Sequence, residues 1–166
     1  MAIWVISDLH LGHANIITYC NRPFASVEEM NHTIISNWNS VVSPDDTVYF
    51  LGDFCFGRPG KEVSRLYRSK LNGHIHLIRG NHDKFIDESI FESVHNELYL
   101  DILDKKVFLC HYPDRVPRYF DLYLYGHVHD KWIPKDKYHC VCVENTSYFP
   151  VNLYDLVEGC THETIA

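Results

Sequence analysis

Hydrophobic residues recur at helical spacing in two segments of the chain. The clearer segment follows Arg22-Pro23-Phe24 and begins with Ser26 and Glu29, which have the spacing of a capping box. Its apolar positions fall on one helical face and are Val27, Met30, Ile34, Trp38 and Val41. The run Ser43-Pro44-Asp45-Asp46 ends this predicted helix.

A second helix is predicted from about Lys61 to Lys70, with Asn72-Gly73 as its end signal. We expect Val63, Leu66 and Tyr67 to face inwards. Short apolar runs rich in β-branched and aromatic residues alternate with these helices, which predicts an α/β layered fold. No linker or internal repeat interrupts the pattern, so residues 1–166 are predicted to form a single domain.

Five apolar runs read as strands, and each leads into Asp, Asn or His, either directly or after one glycine. The strand segments are residues 3–7, 47–51, 74–79, 107–110 and 122–125. Ligand sites of α/β sheets form outside the carboxyl ends of strands. The polar residues that follow these strands are Asp8, His10, Asp53, Asn81, His111, His127 and His129. We therefore expect them to meet at one rim.

Two of these strand ends carry ligand candidates two residues apart. In extended chain, alternate side chains point to the same side, so Asp8 and His10 can reach one point, and so can His127 and His129. A glycine precedes three of the candidates, and we expect it to permit a sharp departure of the backbone there. These glycines are Gly52, Gly80 and Gly126.

The seven candidates offer imidazole, carboxylate and amide donors without a thiolate, a mixture that suits Mn, Fe, Co, Ni or Zn. Seven side chains exceed the needs of one catalytic ion and divide naturally between two ions that share a carboxylate. Each motif alone has an ordinary explanation as a turn, cap or rim residue. Their joint occurrence at successive strand ends favours a metal site, as does the total of 12 histidines.

Charge and composition narrow the class of protein. The net charge of −7 argues against non-specific binding of long nucleic acids, which relies on Lys and Arg. The start of the chain does not resemble a secretory signal peptide and no apolar run is long enough for a membrane span, so a cytoplasmic protein is expected. The six scattered cysteines are expected to be reduced, mostly packing residues.

The motifs together resemble the signature blocks of calcineurin-like metallophosphoesterases, and residues 8–13, 15–17 and 22–24 further resemble small bacterial and phage members. The blocks are Asp8-x-His10, Gly52-Asp53, Gly80-Asn81-His82-Asp83, His111 and Gly126-His127-x-His129. The resemblance implies a four-layer α/β/β/α sandwich with two facing mixed sheets. It also implies two divalent metal ions, with Mn preferred and Fe, Zn, Ni or Co as alternatives.

The resemblance further implies a division of ligands. Asp8, His10 and His129 would hold one ion, Asn81, His111 and His127 the other, and Asp53 would bridge them. His82 would lie over the phosphate, where a pKa near working pH suits it to protonate the leaving group. Asp83 is expected to orient His82, with capping of the following segment as the alternative.

One block departs from the family pattern. Protein phosphatases of the superfamily carry Gly-Asp-Tyr-Val-Asp-Arg-Gly, whereas Arg58 lies one residue further from Asp53 in this chain. The shift argues against protein dephosphorylation. His13 and Arg58 are the preferred candidates for contact with substrate, and Asn15, Arg22 and Tyr112 are weaker ones.

The function predicted is metal-dependent hydrolysis of a small or accessible phosphate ester, with a phosphodiesterase preferred. The alternatives are a phosphomonoesterase such as a nucleotidase and, since some proteins of this fold bind partners without catalysis, a non-catalytic scaffold. The presence of all seven ligand candidates and His82 favours an enzyme. The oligomeric state is left open.

Overall fold

Parallel and antiparallel strands combine into two mixed sheets in the computed structural model, which describes residues 1–115, 117–132 and 134–162. The strands are β1 (Ile3–Ile6), β2 (Thr47–Phe50), β3 (His74–Ile78), β4 (Ser93–His95), β5 (Glu97–Ile102), β6 (Lys105–Cys110), β7 (Leu122–Tyr125), β8 (Tyr138–Cys140) and β9 (Val151–Asn152). The first sheet has the order β4-β3-β2-β1-β9, and the second has the order β5-β6-β7-β8.

Strand direction brings the predicted motifs to common sheet edges. β1, β2, β3 and β4 run parallel, and β9 pairs antiparallel with β1. In the second sheet, β6, β7 and β8 run parallel while β5 and β6 form an antiparallel hairpin. The hairpin turns at Leu103 and Asp104, both with positive φ. The five predicted strands are all present, with ends shifted by one or two residues.

Helices border the sheets and are α1 (Ala14–Tyr19), α2 (Val27–Val41), α3 (Gly60–Arg68) and α4 (Leu153–His162). The Ser26 hydroxyl accepts a hydrogen bond from the Glu29 amide at 3.1 Å, so the predicted cap of α2 is confirmed. The inward orientation predicted for Leu66 is wrong, because this side chain is 56% exposed. Val63, Ser64 and Tyr67 form the inner stripe of α3 at helical spacing, and Leu66 falls beside it. None of the described helices combines the length and the apolar character that a membrane span requires.

The main core lies on both faces of the first sheet. One face packs against α2 through Ile34 and Trp38, which are fully buried. The opposite face contributes Val5 and Leu51 to a cluster that also contains Leu109 of the second sheet. The two sheets therefore face each other, with aromatic side chains and short helical turns on the far side of the second sheet. The predicted α/β class with two mixed sheets is confirmed.

Asp46 joins the start of the first sheet to the end of α2. Its carboxylate accepts hydrogen bonds from the Ala2 amide at 2.8 Å, the Trp4 indole at 3.0 Å and the Ser43 amide at 2.9 Å. The amides of Ser43 and Ala2, with the Trp4 indole, lower the pKa of Asp46 from its ordinary value of 3.8. These bonds stabilise the charged carboxylate in the fold.

We expect Asp46→Asn to lower the free energy of unfolding by about 1–3 kcal/mol at pH 7, since bonds to a charged acceptor are lost. Because folding lowers this pKa, the stabilisation is complete above about pH 4 and is lost as the pH falls through the lowered value. Urea unfolding at pH 7 and below pH 3 measures the difference between wild type and variant. Asp45→Asn, at an exposed neighbour, is the control; equal effects of the two variants would contradict the role of Asp46.

Candidate metal centre

The carboxyl ends of β1, β2 and β3 meet those of β6 and β7 at one rim of the two facing sheets. Asp8 and His10 follow β1, Asp53 follows β2, and Asn81 follows β3. The second sheet contributes three histidines after β6 and β7, namely His111, His127 and His129. The structure therefore brings together all seven ligand candidates named from the sequence.

The backbone at the ligand positions differs from the extended chain that the sequence analysis assumed. The φ angles are 59° at Asp8, 49° at His10, 61° at Asp53, 72° at His127 and 53° at His129. Left-handed conformations of non-glycine residues cost of order 1–3 kcal/mol each and cluster at functional sites. The side chains therefore converge through sharp left-handed bends, and His127 and His129 enter different groups of donors.

The glycines before the ligand candidates serve two purposes. Gly52 has a φ of 92°, so it supplies the predicted conformational freedom. Gly126 is needed for space instead, because a Cβ there would lie 2.4 Å from an Asp8 carboxylate oxygen. The close approach of the backbone to the Asp8 carboxylate, rather than a bend, therefore explains the glycine at position 126.

One group of donors consists of Asp8, His10 and His129, whose nearest ligand atoms all lie within 4.8 Å of one another. The Asp8 Oδ1 atom is 3.6 Å from His10 Nε2 and 3.5 Å from His129 Nε2. Asp8 is oriented through its other oxygen, which accepts from the His127 amide at 2.9 Å, the Cys142 thiol at 3.2 Å and the Ser7 hydroxyl. Asp8 Oδ1 and His10 Nε2 are buried without a hydrogen-bond partner.

The second group consists of Asp53, His111 and His127, again within 4.8 Å, with Asn81 beside them. Asp53 Oδ2 is 3.5 Å from His111 Nε2, and Asn81 Oδ1 is 3.1 Å from nitrogens of both His111 and His127. The same Asp53 oxygen is 3.4 Å from His10 Nε2 of the first group. Asp53 therefore lies between the two groups.

Lone pairs face each other in both groups. The His111 ring donates from Nδ1 to the Leu51 carbonyl at 2.6 Å, and the His129 ring donates from Nδ1 to the Glu144 carboxylate at 3.0 Å. In the neutral rings Nε2 then carries a lone pair, and in both cases it points at an acceptor-only carboxylate. Ligands of one ion bound at about 2.0–2.2 Å lie about 3–3.5 Å apart, which matches these spacings. The residues present fit a pair of divalent cations.

The pKa values show the same demand for positive charge. Burial alone would lower the pKa of His129, but contacts with Cys20 and Glu144 and the charge of Asp8 raise it to about 10. Burial alone would lower the pKa of His10, but the nearby carboxylates of Asp53 and Asp8, 3.4 Å and 3.6 Å from its Nε2, raise it. Burial would raise the pKa of Asp53, yet the His10 contact and the nearby imidazoles hold it below its usual range. The carboxylates thus favour cations or protons at the ring nitrogens.

A buried ion pair behind the first group was missed in the sequence. Glu144 Oε1 accepts a hydrogen bond from the His129 ring and also binds the Arg22 guanidinium. It lies 2.9 Å from Arg22 Nε and 2.8 Å from Arg22 Nη2. Arg22 further donates to the backbone carbonyls of Leu9 and Asp8. The prediction that Arg22 contacts substrate is wrong, because its side chain is fully buried behind the site. Glu144 follows no strand-end motif, so the sequence offered no signal for it.

Asp83 holds the loops of the second group. Its carboxylate accepts hydrogen bonds from the backbone amides of Asp53 and Phe54 at 2.9 Å and of Gly80 at 2.7 Å. Among the described residues no hydrogen bond joins this carboxylate to the His82 ring, and it does not cap the helical turn that begins at Asp83. Both roles considered in the sequence analysis are therefore replaced by a structural one, which fixes the loops of Asp53 and Asn81.

The remaining candidates surround the ligand groups. The exposed His82 ring lies 5.3 Å from the His10 ring between centroids, and its amide donates to Asp53 Oδ1 at 2.9 Å. His13 is half-buried, caps α1 by accepting from the Ile16 amide, and lies 5.7 Å from the His10 ring. Arg58 is exposed and borders a cavity that His82 also lines. Tyr112 packs edge-on against His111 and His127, whereas Asn15 is exposed on α1.

A family model described as calcineurin-like phosphoesterase matches residues 1–142. The chain belongs to this family. The resemblance drawn from the strand-end motifs is confirmed, and the protein is a metal-dependent phosphoesterase at the level of its family.

Similar proteins span archaea, phages and bacteria. The chain is 44% identical over 164 residues to uncharacterized protein MJ1445 of Methanocaldococcus jannaschii, covering 93% of this chain and 88% of that protein. The gene 66 protein of Mycobacterium phage L5 is 41% identical over 81 residues, which cover 48% of this chain and 39% of that protein. The crystal structure of AQ665, a protein of unknown function from Aquifex aeolicus, superposes with a TM-score of 0.75 at 26% identity, covering 95% and 98% of the two chains.

The contact between Glu144 and His129 leads to a test of metal affinity. We expect Glu144→Gln to weaken binding of Mn²⁺ about 10–100-fold, because loss of a carboxylate behind a ligating histidine has effects of this size. Calorimetric titration of the metal-free protein measures this change. Glu28→Gln on the exposed face of α2 is the matched control, and unchanged affinity in a folded Glu144→Gln protein would contradict the role of Glu144.

Proposed function

We propose that the protein is a phosphodiesterase that uses two divalent metal ions, with Mn²⁺ preferred. In this proposal Asp8, His10 and His129 hold one ion, and Asn81, His111 and His127 hold the other. Asp53 is assigned to both. The observation that carries the proposal is the approach of Asp53 Oδ2 to a ring nitrogen of each group, 3.4 Å from His10 and 3.5 Å from His111.

A pair of such ions, when bound, supplies Lewis-acid stabilisation of phosphoryl oxygens and acidifies water at neutral pH. The protein's part is to fix the donors before substrate arrives. The Asp83 carboxylate fixes the loops of Asp53 and Gly80, and Glu144 fixes the ring of His129. Rigid placement of this kind avoids reorganisation during the reaction.

His82 is proposed to donate a proton to the leaving oxygen. Its backbone amide is bonded to Asp53, so the residue is anchored beside the ligand groups, while its ring remains exposed. A solvent-exposed imidazole is a suitable proton donor for catalysis close to neutral pH. His82 thus neighbours His10 of the first donor group and also lines the cavity, together with Asn81.

The preference for a diester is supported by the surroundings of His82. The cavity beside it has a volume of about 880 Å³ and a mostly apolar wall, so an ester group of the substrate finds room there. A diester brings one negative charge fewer than a monoester to the neighbourhood of this apolar surface, and desolvation of charge is costly. His13 and Arg58 remain the proposed polar contacts of the substrate.

The ranking of substrates can be tested with matched chromogenic esters. We expect kcat/KM for bis(p-nitrophenyl) phosphate to exceed that for p-nitrophenyl phosphate by about tenfold or more in the presence of Mn²⁺, equivalent to about 1.4 kcal/mol. Release of nitrophenolate measures both rates. Faster turnover of the monoester would favour a phosphomonoesterase, and no turnover of either ester by the metal-loaded protein would favour a binding scaffold.

The role of His82 predicts a separation of catalysis from metal binding. We expect His82→Gln to lower kcat about 10²–10⁴-fold for a diester with an alkyl leaving group, which needs a proton to depart, the contribution typical of a positioned acid. The metal content should remain that of the wild type, because His82 is not proposed as a ligand. Elemental analysis of the purified protein measures the metal content, and the exposed His32→Gln is the control. Parallel loss of metal and activity would show that His82 belongs to the ligand set.

A further inference from the structure

The cavity beside His82 has a wall unlike that of the metal centre. Two loops enclose it, residues 55–60 after β2 and residues 81–86 after β3. Phe56 and Phe85 contribute large rings that are 56% and 72% exposed, and Pro59 and Ile86 add further apolar surface. A volume of about 880 Å³ lies within the range of small-molecule sites.

The two aromatic side chains stand on anchored backbone. The Phe56 amide donates to the Leu11 carbonyl at 2.8 Å, and the Phe56 ring lies 4.6 Å from the His13 ring between centroids. Phe85 ends the helical turn that begins at Asp83, and its carbonyl oxygen would lie 2.5 Å from a Cβ at position 60, so the two loops touch. The Asp83 carboxylate accepts hydrogen bonds from the amides of Phe54 and Gly80, which directly precede the two loops. Hydrogen bonds therefore fix the backbone of the wall, and both phenylalanine rings keep surface that a bound ring can cover.

Position relative to His82 tells which part of an ester the cavity receives. A proton donor has to lie within hydrogen-bond reach of the oxygen that leaves. His82 lines the cavity and also neighbours His10 of the ligand groups. An ester bound with its phosphate at the ligand groups then directs its leaving group past His82 and into the cavity. The exposed cations Arg58 and Lys84 on the cavity border suit the approach of an anionic ester.

We infer that the leaving group of the natural substrate carries an aromatic ring, an aryl group or a nucleobase, which packs on Phe56 and Phe85. Flat rings bury much apolar area and gain further from offset or edge-on contact with phenylalanine. A sugar or glycerol leaving group without an aromatic ring would instead place only hydroxyl groups against an apolar wall, at a cost in desolvation. This inference rests on the proposed phosphodiesterase function and names the substrate class of the same site.

The experiment uses diesters whose two alcohols differ. In benzyl methyl phosphate either bond can be cleaved, and the product identifies the leaving group. Ethyl methyl phosphate is the comparison, since ethanol and benzyl alcohol have similar acidity, and the methyl ester of thymidine 5′-phosphate tests a nucleobase in place of the aryl ring. The protein is loaded with Mn²⁺, the reaction is stopped with chelator, and the products are separated by liquid chromatography.

We expect methyl phosphate and benzyl alcohol as the main products, with kcat/KM about tenfold or more above that of ethyl methyl phosphate. If the thymidine ester loses its ring-bearing alcohol with a similar preference, the ring is assigned to a nucleobase. If it reacts more slowly than the benzyl ester, the ring is assigned to an aryl group. Release of methanol from both ring-bearing esters, or no preference over the ethyl ester, would overturn the inference while hydrolysis of bis(p-nitrophenyl) phosphate still supports the phosphodiesterase. No hydrolysis of any diester would overturn both.

Variants of the wall provide a second test. Phe85→Leu and Phe56→Leu keep apolar bulk but remove the rings, and we expect each to reduce the benzyl-to-ethyl preference several-fold. Leu66→Ala, at an exposed apolar side chain on α3 away from this cavity, is the control and should keep the wild-type preference. Thermal melting establishes that each variant is folded. An unchanged preference in both folded phenylalanine variants would overturn the assignment of the wall.

Discussion

Buried carboxylate oxygens and imidazole nitrogens that face one another at the ends of the strands impose the main constraint on this structure. Asp8 Oδ1 and His10 Nε2 are buried, 3.6 Å apart and without hydrogen-bond partners. Leaving such groups unpaired costs free energy, and the cost is greatest for a charged carboxylate. The fold therefore creates a demand for positive charge at this rim, which protons meet in part through the raised pKa of His10 and His129. Two divalent ions would meet the demand with the donor types present.

The surrounding structure holds this unfavourable arrangement in place. Left-handed backbone at Asp8 and Asp53 is strained, so neighbouring contacts have to fix it. Asp83 supplies three such contacts to the loops of Asp53 and Gly80, and buried Arg22 binds the carbonyls of Asp8 and Leu9. Since Arg22 also pairs with Glu144 behind His129, one buried ion pair supports both the backbone and a side chain of the same donor group.

The residues that could be predicted from the sequence are those defined by local pattern. His111 directly follows a short apolar strand, Asp53 follows another within three residues, and the capping box of α2 involves residues three apart, so neighbouring sequence was sufficient. Glu144 was not predictable, because its contact with Arg22 joins residues 122 positions apart. The extended conformation predicted at Asp8 was wrong for a different reason, since an extended strand end and a left-handed bend share one sequence pattern. Metal binding by these side chains stays a prediction, which their spacing supports.

In the proposed function, chemistry and selectivity fall to different parts of this chain, which explains why the motifs reveal one and not the other. Catalytic donors require fixed types of side chain at strand ends, whereas a cavity wall needs only apolar surface of suitable shape. Phe56 and Phe85 belong to none of the motifs, and their significance comes from their exposed rings beside His82. Asp83 connects the two parts, because the same carboxylate holds Asp53 at the metal centre and the loops that carry both rings. A substrate ring that packs on those loops is thereby held in fixed register with the phosphate site.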